Sequence, residues 1–211
     1  MEPILKNQIQ TFLDTFVAFE KIWFDYLTKT NTTPINLKRV RVKELAISTT
    51  SGFSLQNYIY LYRRIVARSN PSAISKILEI NNINRSRIKE SLSISKKIDN
   101  YIKHEQESGT YLYVTKCLND IMGARIVIDK IPDLDALKAE ISQEFPMLKV
   151  TNASKPTGYK AVHVYTNPAK GHLPWELQIW QSCDEQNNIQ LHSEYKRDYI
   201  KEIQTIKEVS R

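Results

Sequence analysis

The chain has 211 residues, is 41% hydrophobic and 25% charged, and carries a formal charge of +7. That is the make-up of a globular protein with one sizeable core. No apolar run approaches the roughly 18 residues that span a bilayer. Met1 to Gln10 lacks the basic-then-apolar pattern of a secretory signal, so a cytoplasmic protein without a membrane role is expected. Cys117 and Cys183 lie far apart and outside any Cys/His ligand spacing, which sets aside a disulfide framework and a zinc site. The positive balance suits polyanionic partners, whether nucleotides, RNA or an acidic protein.

Along the chain, apolar residues at three- and four-residue spacings predict a helix over Ile9 to Leu27. The polar stretch around Pro34 breaks it. A second helix is predicted over Leu55 to Ala67, ending near Ser69-Asn70-Pro71, with the basic segment Lys38, Arg39, Arg41 and Lys43 between the two. From about residue 84 strands and helices alternate. Arg85 to Lys89 could be extended, and Ser91 to Glu107 reads as a helix with Gly109 as its stop. Arg125 to Ile128 reads as a strand, Leu134 to Phe145 as a helix opened by Asp133, and Ala161–Tyr165 and Trp175–Trp180 as alternating strands. Asp184 to Val209 is polar and helix-prone. The five glycines form neither GxGxxG nor a Walker P-loop. The expected organisation is an N-terminal helical region over 1–83 and a domain of alternating strands and helices over 84–211.

Four stretches could carry chemistry. In WELQIW, period-two alternation puts Glu176, Gln178 and Trp180 on one face and Trp175, Leu177 and Ile179 on the other. The polar pair marks either a site or an exposed sheet face. Asp120 stands before a glycine turn that feeds a strand, where a carboxylate either holds Mg²⁺ or caps a turn. Arg87 and Lys89 share one side of a short segment, with Lys96 and Lys97 following, which suits a triphosphate or a solvated basic face. In KPTGYKAVHVY, Gly158 permits close backbone approach and sets Tyr159 at a strand entrance. That ring could stack on a base or simply pack, and His163 could bond a phosphate, a sugar or the sheet.

Taken together, R-x-K-(x)7-K, D-x-x-G-x-R, K-x-x-G-Y-x-x-x-H and E-x-Q-I, over about Arg87 to Lys196, resemble the synthetase domain of the RelA/SpoT family. The resemblance implies an α/β, nucleotidyltransferase-like fold: a mixed sheet of about five strands flanked by helices, preceded by an N-terminal helical annex. It also implies passage of a pyrophosphate group from ATP to a ribose 3′-hydroxyl. Arg87, Lys89 and Lys97 match the family's ATP-binding cations, with Arg125 added by the D-x-x-G-x-R pattern. Asp120 matches its magnesium ligand. Glu176 matches the catalytic glutamate, implied to share the Mg²⁺ and activate the attacking hydroxyl. Tyr159 matches the tyrosine that stacks on the acceptor base, while Lys155, His163 and Gln178 match acceptor contacts.

The chain also departs from the family pattern. Val150-Thr-Asn-Ala-Ser154 stands where a K-D-Y-I-x-x-P-K run is usual, and Trp180 follows Gln178-Ile179 where alarmone-making members continue with Arg-Thr. These changes weaken the expectation of a free guanosine di- or triphosphate as acceptor. No His-Asp dipeptide occurs, which sets aside a bifunctional synthetase–hydrolase. The chain most resembles the small toxic synthetases of toxin–antitoxin and phage-defence systems. Many of these pyrophosphorylate the 3′-terminal adenosine of tRNA, while others make adenosine alarmones. The alternatives are a small alarmone synthetase acting on free nucleotides and a degenerate module that binds RNA or a partner protein. An antitoxin partner is implied, and no DNA partner is expected. For a tRNA track the candidates are Lys38, Arg39, Arg41, Lys43, Arg63, Arg64, Lys196 and Arg197, each of which could equally be surface charge.

Overall fold

The computed structural model describes residues 1–45, 55–69, 85–131 and 133–194. Lys196 and Arg197, and the predicted helix beyond residue 194, lie outside them. Three helices open the described chain: α1 (Pro3–Lys29), α2 (Leu55–Ser69) and, after strand β1 (Arg85–Ile88), α3 (Ser91–Ser108). A short α4 (Val114–Cys117) leads to β2 (Met122–Ile128), then α5 (Leu134–Glu144), β3 (Lys149–Asn152), β4 (Val162–Tyr165) and β5 (Glu176–Gln181). A 3₁₀ turn at Ser182–Asp184 runs into a last helix, α6, of which residues 185–194 are described. No described helix is long and apolar enough to cross a membrane.

The five strands form one mixed sheet in the order β1-β2-β5-β4-β3. Only β2 and β5 run parallel; the other pairs are antiparallel. This is the mixed sheet of about five strands that the sequence leads one to expect. Strand β2 is longer than expected, beginning at Met122 and so taking the glycine into the ladder. Strand β3 falls within the stretch read only as a departure from the family pattern. Its burial is irregular, with Val150 alone fully inside, so period-two patterning is weak there.

Local chemistry fixes the helix ends. The Asp133 side chain accepts from the backbone N–H groups of Asp135 and Ala136, starting α5. Gly109 takes the left-handed conformation, φ 66°, that closes α3.

The apolar face of the sheet carries Leu177 and Ile179 opposite Val164 and Val162, with Ala124 and Ile126 alongside. The N-terminal helices complete the same core. Leu5, Ile9, Phe12, Phe16, Phe19, Trp23 and Leu27 make the buried stripe of α1. Phe16 and Phe19 lie 5.4 and 5.2 Å from the Trp175 ring.

The helices also grip the segment that delivers β5. Trp23 Nε1 and the Tyr58 hydroxyl both donate to the Gly171 carbonyl at 2.9 Å. The Tyr62 hydroxyl donates to the Leu173 carbonyl at 3.2 Å. Gly171 has φ 90°, and a Cβ there would come within 2.9 Å of the Tyr58 hydroxyl, so only glycine fits. The helical region therefore sets where Glu176 begins its strand.

His172 lies in this grip, 3% exposed, with Nδ1 lacking a hydrogen bond and Glu20 at 3.9 Å. Burial holds its imidazole down to about 4. The unfolded chain takes up this proton near pH 6.5, the folded protein only near 4. Stability carried by the neutral ring is thus full above pH 6.5 and is lost as the pH falls from there through 4. The unfolding midpoint is expected to drop on acidification from pH 7 to 4.5, and His172→Gln to flatten that dependence. An unchanged slope in the variant would assign the acid sensitivity to other groups.

Candidate active site

The sheet face opposite the core is polar at its centre, because the register aligns one row across all five strands. That row runs Arg87 (β1), Gly123 (β2), Glu176 (β5), Tyr165 (β4) and Lys149 (β3). The next row carries Arg125, Gln178, His163 and Thr151. A side chain at position 123 would stand between Arg87 and Glu176. A Cβ built there would lie 3.8 Å from Arg87 Cγ and Nε, so the Arg87 side chain lies over the glycine. Arg87 is exposed along this route.

Glu176 is buried, 6% exposed, yet fully engaged. Oε1 accepts from the Tyr165 hydroxyl at 3.0 Å and faces His163 Nδ1 at 3.1 Å. Oε2 accepts from Gln178 Nε2 at 2.8 Å, and Gln178 Oε1 in turn accepts from Arg125 at 3.2 Å. Burial pushes the Glu176 carboxyl up, but His163 and Gln178 outweigh it and hold the group below the usual glutamate value.

Behind Glu176 runs a chain of donors. Trp180 Nε1 donates to the Tyr159 oxygen at 3.2 Å, and the Tyr159 hydroxyl meets His163 Nε2 at 2.8 Å. Because Tyr165 gives its single proton to Glu176, its oxygen is left to accept from His163 Nδ1, 3.1 Å away. A neutral His163 satisfies all these contacts only with hydrogen on Nδ1, so every bond in the chain points toward Glu176.

Asp120, two residues before β2, is 8% exposed and clamped by cations. Lys89 Nζ reaches Oδ2 at 2.6 Å and Lys97 Nζ reaches Oδ1 at 2.9 Å, the latter also bonding Asn119 at 3.1 Å. Backbone pairing places Lys89, since its N–H donates to the Ile121 carbonyl. Burial raises the Asp120 carboxyl, but the two ammonium groups overcome this and hold it down to about 2. Burial pulls Lys89 down, whereas Asp120 keeps Lys97 up despite burial. Asp120 and Glu176 lie close enough for each to raise the cost of ionising the other.

Tyr159 is 6% exposed, in a small cluster with Ala161 and Trp180. Its ring meets those of His163, Trp180 and His192 at 82–88°. The Trp180 ring is covered by His192, 17° from parallel, and by the Arg125 guanidinium 3.3 Å from its centroid. Asn187 and Asn188 on α6 bond the carbonyls of Gly158 and Lys160, fixing the turn that presents Tyr159. Lys155 opens that turn and is exposed.

Glu176, Asp120, Arg87, Lys89, Lys97, Arg125, Tyr159, His163 and Gln178 thus assemble at one face and one end of the sheet. Tyr165 was not singled out from the sequence. The signal available was its i+2 spacing from His163, which puts both on the face of Glu176 and Gln178.

The basic track is more scattered. The Arg41 guanidinium bonds the buried Glu105 and lies 3.7 Å over the Tyr111 ring, and Arg63 donates to the Lys89 carbonyl. Those two arginines have structural partners, while Lys38, Arg39, Lys43 and Arg64 are exposed.

Two carboxylates provide hard oxygen donors, the kind Mg²⁺ takes when substrate phosphates complete its shell. Among the described residues no cluster of three or more His, Cys, Asp or Glu forms a protein-only metal cage.

No curated protein sequence matches the chain significantly. Solved structures similar to it include small alarmone synthetase 1 from Bacillus subtilis, with 17% identity and a TM-score of 0.40 over 65% of this chain and 81% of that one. Small alarmone synthetase 2 from the same organism shows 20% identity and a TM-score of 0.35, over 66% and 79% of the two chains. The first enzyme bound to AMPCPP gives 16% and 0.39, over 66% and 81%. Residues 86–200 match the sequence family described as the region found in RelA / SpoT proteins, which is more than half of the chain. The chain belongs to the RelA/SpoT family.

Proposed function

We propose that the protein transfers a pyrophosphate group from ATP to the 3′-hydroxyl of the 3′-terminal adenosine of tRNA, blocking translation as a toxin restrained by an antitoxin. The carrying observation is the division of the polar row at Glu176. Arg87 stands on one side of it, with Lys89, Lys97 and Asp120 near the strand ends; Tyr165 and His163 stand on the other.

The first group suits the triphosphate, since phosphoryl transfer rests on positioning and charge neutralisation. Mg²⁺ held by Asp120 and Glu176 with the ATP phosphates would neutralise charge on the transferred group. Glu176, ionised at neutral pH, takes the proton of the attacking hydroxyl. His163, Tyr165 and Gln178 hold its carboxylate in place. Stacking an acceptor base on Tyr159, buried as it is, requires α6 and its His192 to yield.

The test follows label from the γ-phosphate of ATP, with uncharged tRNA, GDP, GTP and AMP offered in parallel. Label is expected on tRNA alone. Label on a mononucleotide would make the protein an alarmone synthetase and overturn the acceptor. Label on none of them would overturn the reaction.

Tyr165→Phe removes one hydrogen bond to a buried carboxylate, worth roughly 1.5–3 kcal/mol. The expected result is a fall in kcat of about tenfold or more with the KM for ATP unchanged. The acid limb of the rate should also move to higher pH, because Glu176 loses a donor that favours its ionised form. An unmoved limb would confine Tyr165 to packing.

A further inference from the structure

Past Tyr165 the polar row ends at Lys149, which lines a pocket of about 380 Å³ together with Lys38, Lys116, Asn119, Asn167 and Tyr165 itself. Three cations from three separate segments converge here: the loop after α1, the short α4, and the first residue of β3. Among the described residues, no acidic one lines the pocket. Lys38 donates to Asn167 at 2.8 Å, and Glu20, outside the pocket lining, lies near enough for the two charges to interact.

The position assigns the pocket to one substrate. Arg87 lies two strands from Glu176 in one direction and Lys149 two strands in the other, roughly 10 Å each way at the usual strand spacing. Donor phosphates drawn to Arg87 therefore lie away from Lys149, while Asn119, which bonds Lys97, borders both regions. Tyr165 forms the boundary, since its hydroxyl bonds Glu176 and the residue also lines the pocket.

We infer that this pocket binds the phosphodiester backbone of the acceptor strand, just upstream of the nucleotide whose 3′-hydroxyl meets Glu176. The inference rests on the tRNA reading above. Compact ammonium groups suit phosphates as point charges, and three of them around one cavity address more than a single 5′-phosphate. The exposed Arg39 beside Lys38 continues the positive surface outward. The asparagine amides offer neutral donors to phosphate or sugar oxygens.

The experiment measures binding of uncharged tRNA across a range of salt, for the wild type and for Lys38→Ala/Lys116→Ala/Lys149→Ala. Each lost phosphate contact lowers the slope of log K against log salt by about 0.7 on single strands, so the triple variant should lose about 2. Its KM for ATP should not change. A control variant, Lys21→Ala/Lys29→Ala/Lys103→Ala, removes the same charge from exposed helix positions and should keep the wild-type slope. An unchanged slope in the pocket variant, with wild-type protein still labelling tRNA, overturns the pocket alone. An equal slope loss in both variants overturns it too, since net charge would then explain the effect. A wild type that neither binds nor labels tRNA brings down the acceptor reading and the pocket with it.

Discussion

Glu176→Gln is expected to slow pyrophosphate transfer by roughly 10²- to 10⁴-fold, the range for loss of a positioned general base. The substitution keeps the shape of the side chain and removes its charge. It also disturbs the donor pattern, because the amide NH₂ must face groups that already donate, either the Tyr165 hydroxyl with His163 Nδ1 or Gln178 Nε2. Affinity for ATP without metal should be largely kept, since Arg87, Lys89 and Lys97 lie outside this network. The loss therefore belongs in kcat.

The pH profile offers a second reading of the same group. With its carboxyl held below the ordinary glutamate value, Glu176 stays ionised through neutral and mildly acid pH. The wild-type rate should stay flat there and decline only as the pH falls through that lowered value. Single-turnover measurements with ATP in excess report this directly. Wild-type-like turnover by the glutamine variant would remove Glu176 from the chemistry.

Sequence and structure agree best where periodicity was strong. The 3.6-residue stripe of α1 and the alternation of WELQIW both reappear, with Leu177 and Ile179 in the core and Glu176, Gln178 and Trp180 on the other face. What the sequence could not convey is register. Glu176, Gly123 and Arg87 come from three distant stretches, and only the pairing of β1, β2 and β5 places them in line. Asp120 by itself read more readily as a cap than as a metal ligand; its two lysine partners arise from a strand end and a helix face, which no local pattern connects. The base-stacking role expected of Tyr159 implied an accessible ring. The ring is buried instead, because Asn187 and Asn188 fasten α6 over its turn and bring His192 against it. Arg41, read as open charge, is drawn to Glu105, 64 residues away. Long-range ion pairs of this kind have no sequence signal at all.

Asp120→Asn should be the most informative substitution, because it separates the metal from the lysines. In the wild type both carboxylate oxygens are occupied by ammonium groups, so a divalent cation arriving alone meets two half-buried positive charges. A triphosphate changes this by drawing Lys89 and Lys97 to its own oxygens and leaving Asp120 available. With asparagine the two lysines face each other with no carboxylate between them. Removing one partner from a buried ion pair costs roughly 3–5 kcal/mol, so the unfolding midpoint should fall markedly. The carboxylate's contribution is fully present above pH 3.8 and would be lost in the wild type only as the pH falls through about 2, so the deficit should persist across neutral pH. ATP without metal should then stabilise the variant more than the wild type, because its phosphates supply the missing negative charge without competing with Asp120. Adding Mg²⁺ on top of ATP should raise the midpoint of the wild type and leave that of the variant nearly still. Thermal unfolding of both proteins without ligand, with ATP and with ATP plus Mg²⁺ gives these six midpoints without any need for turnover. Equal gains from Mg²⁺ in both proteins would place the metal elsewhere and leave Asp120 as no more than an anchor for the two lysines.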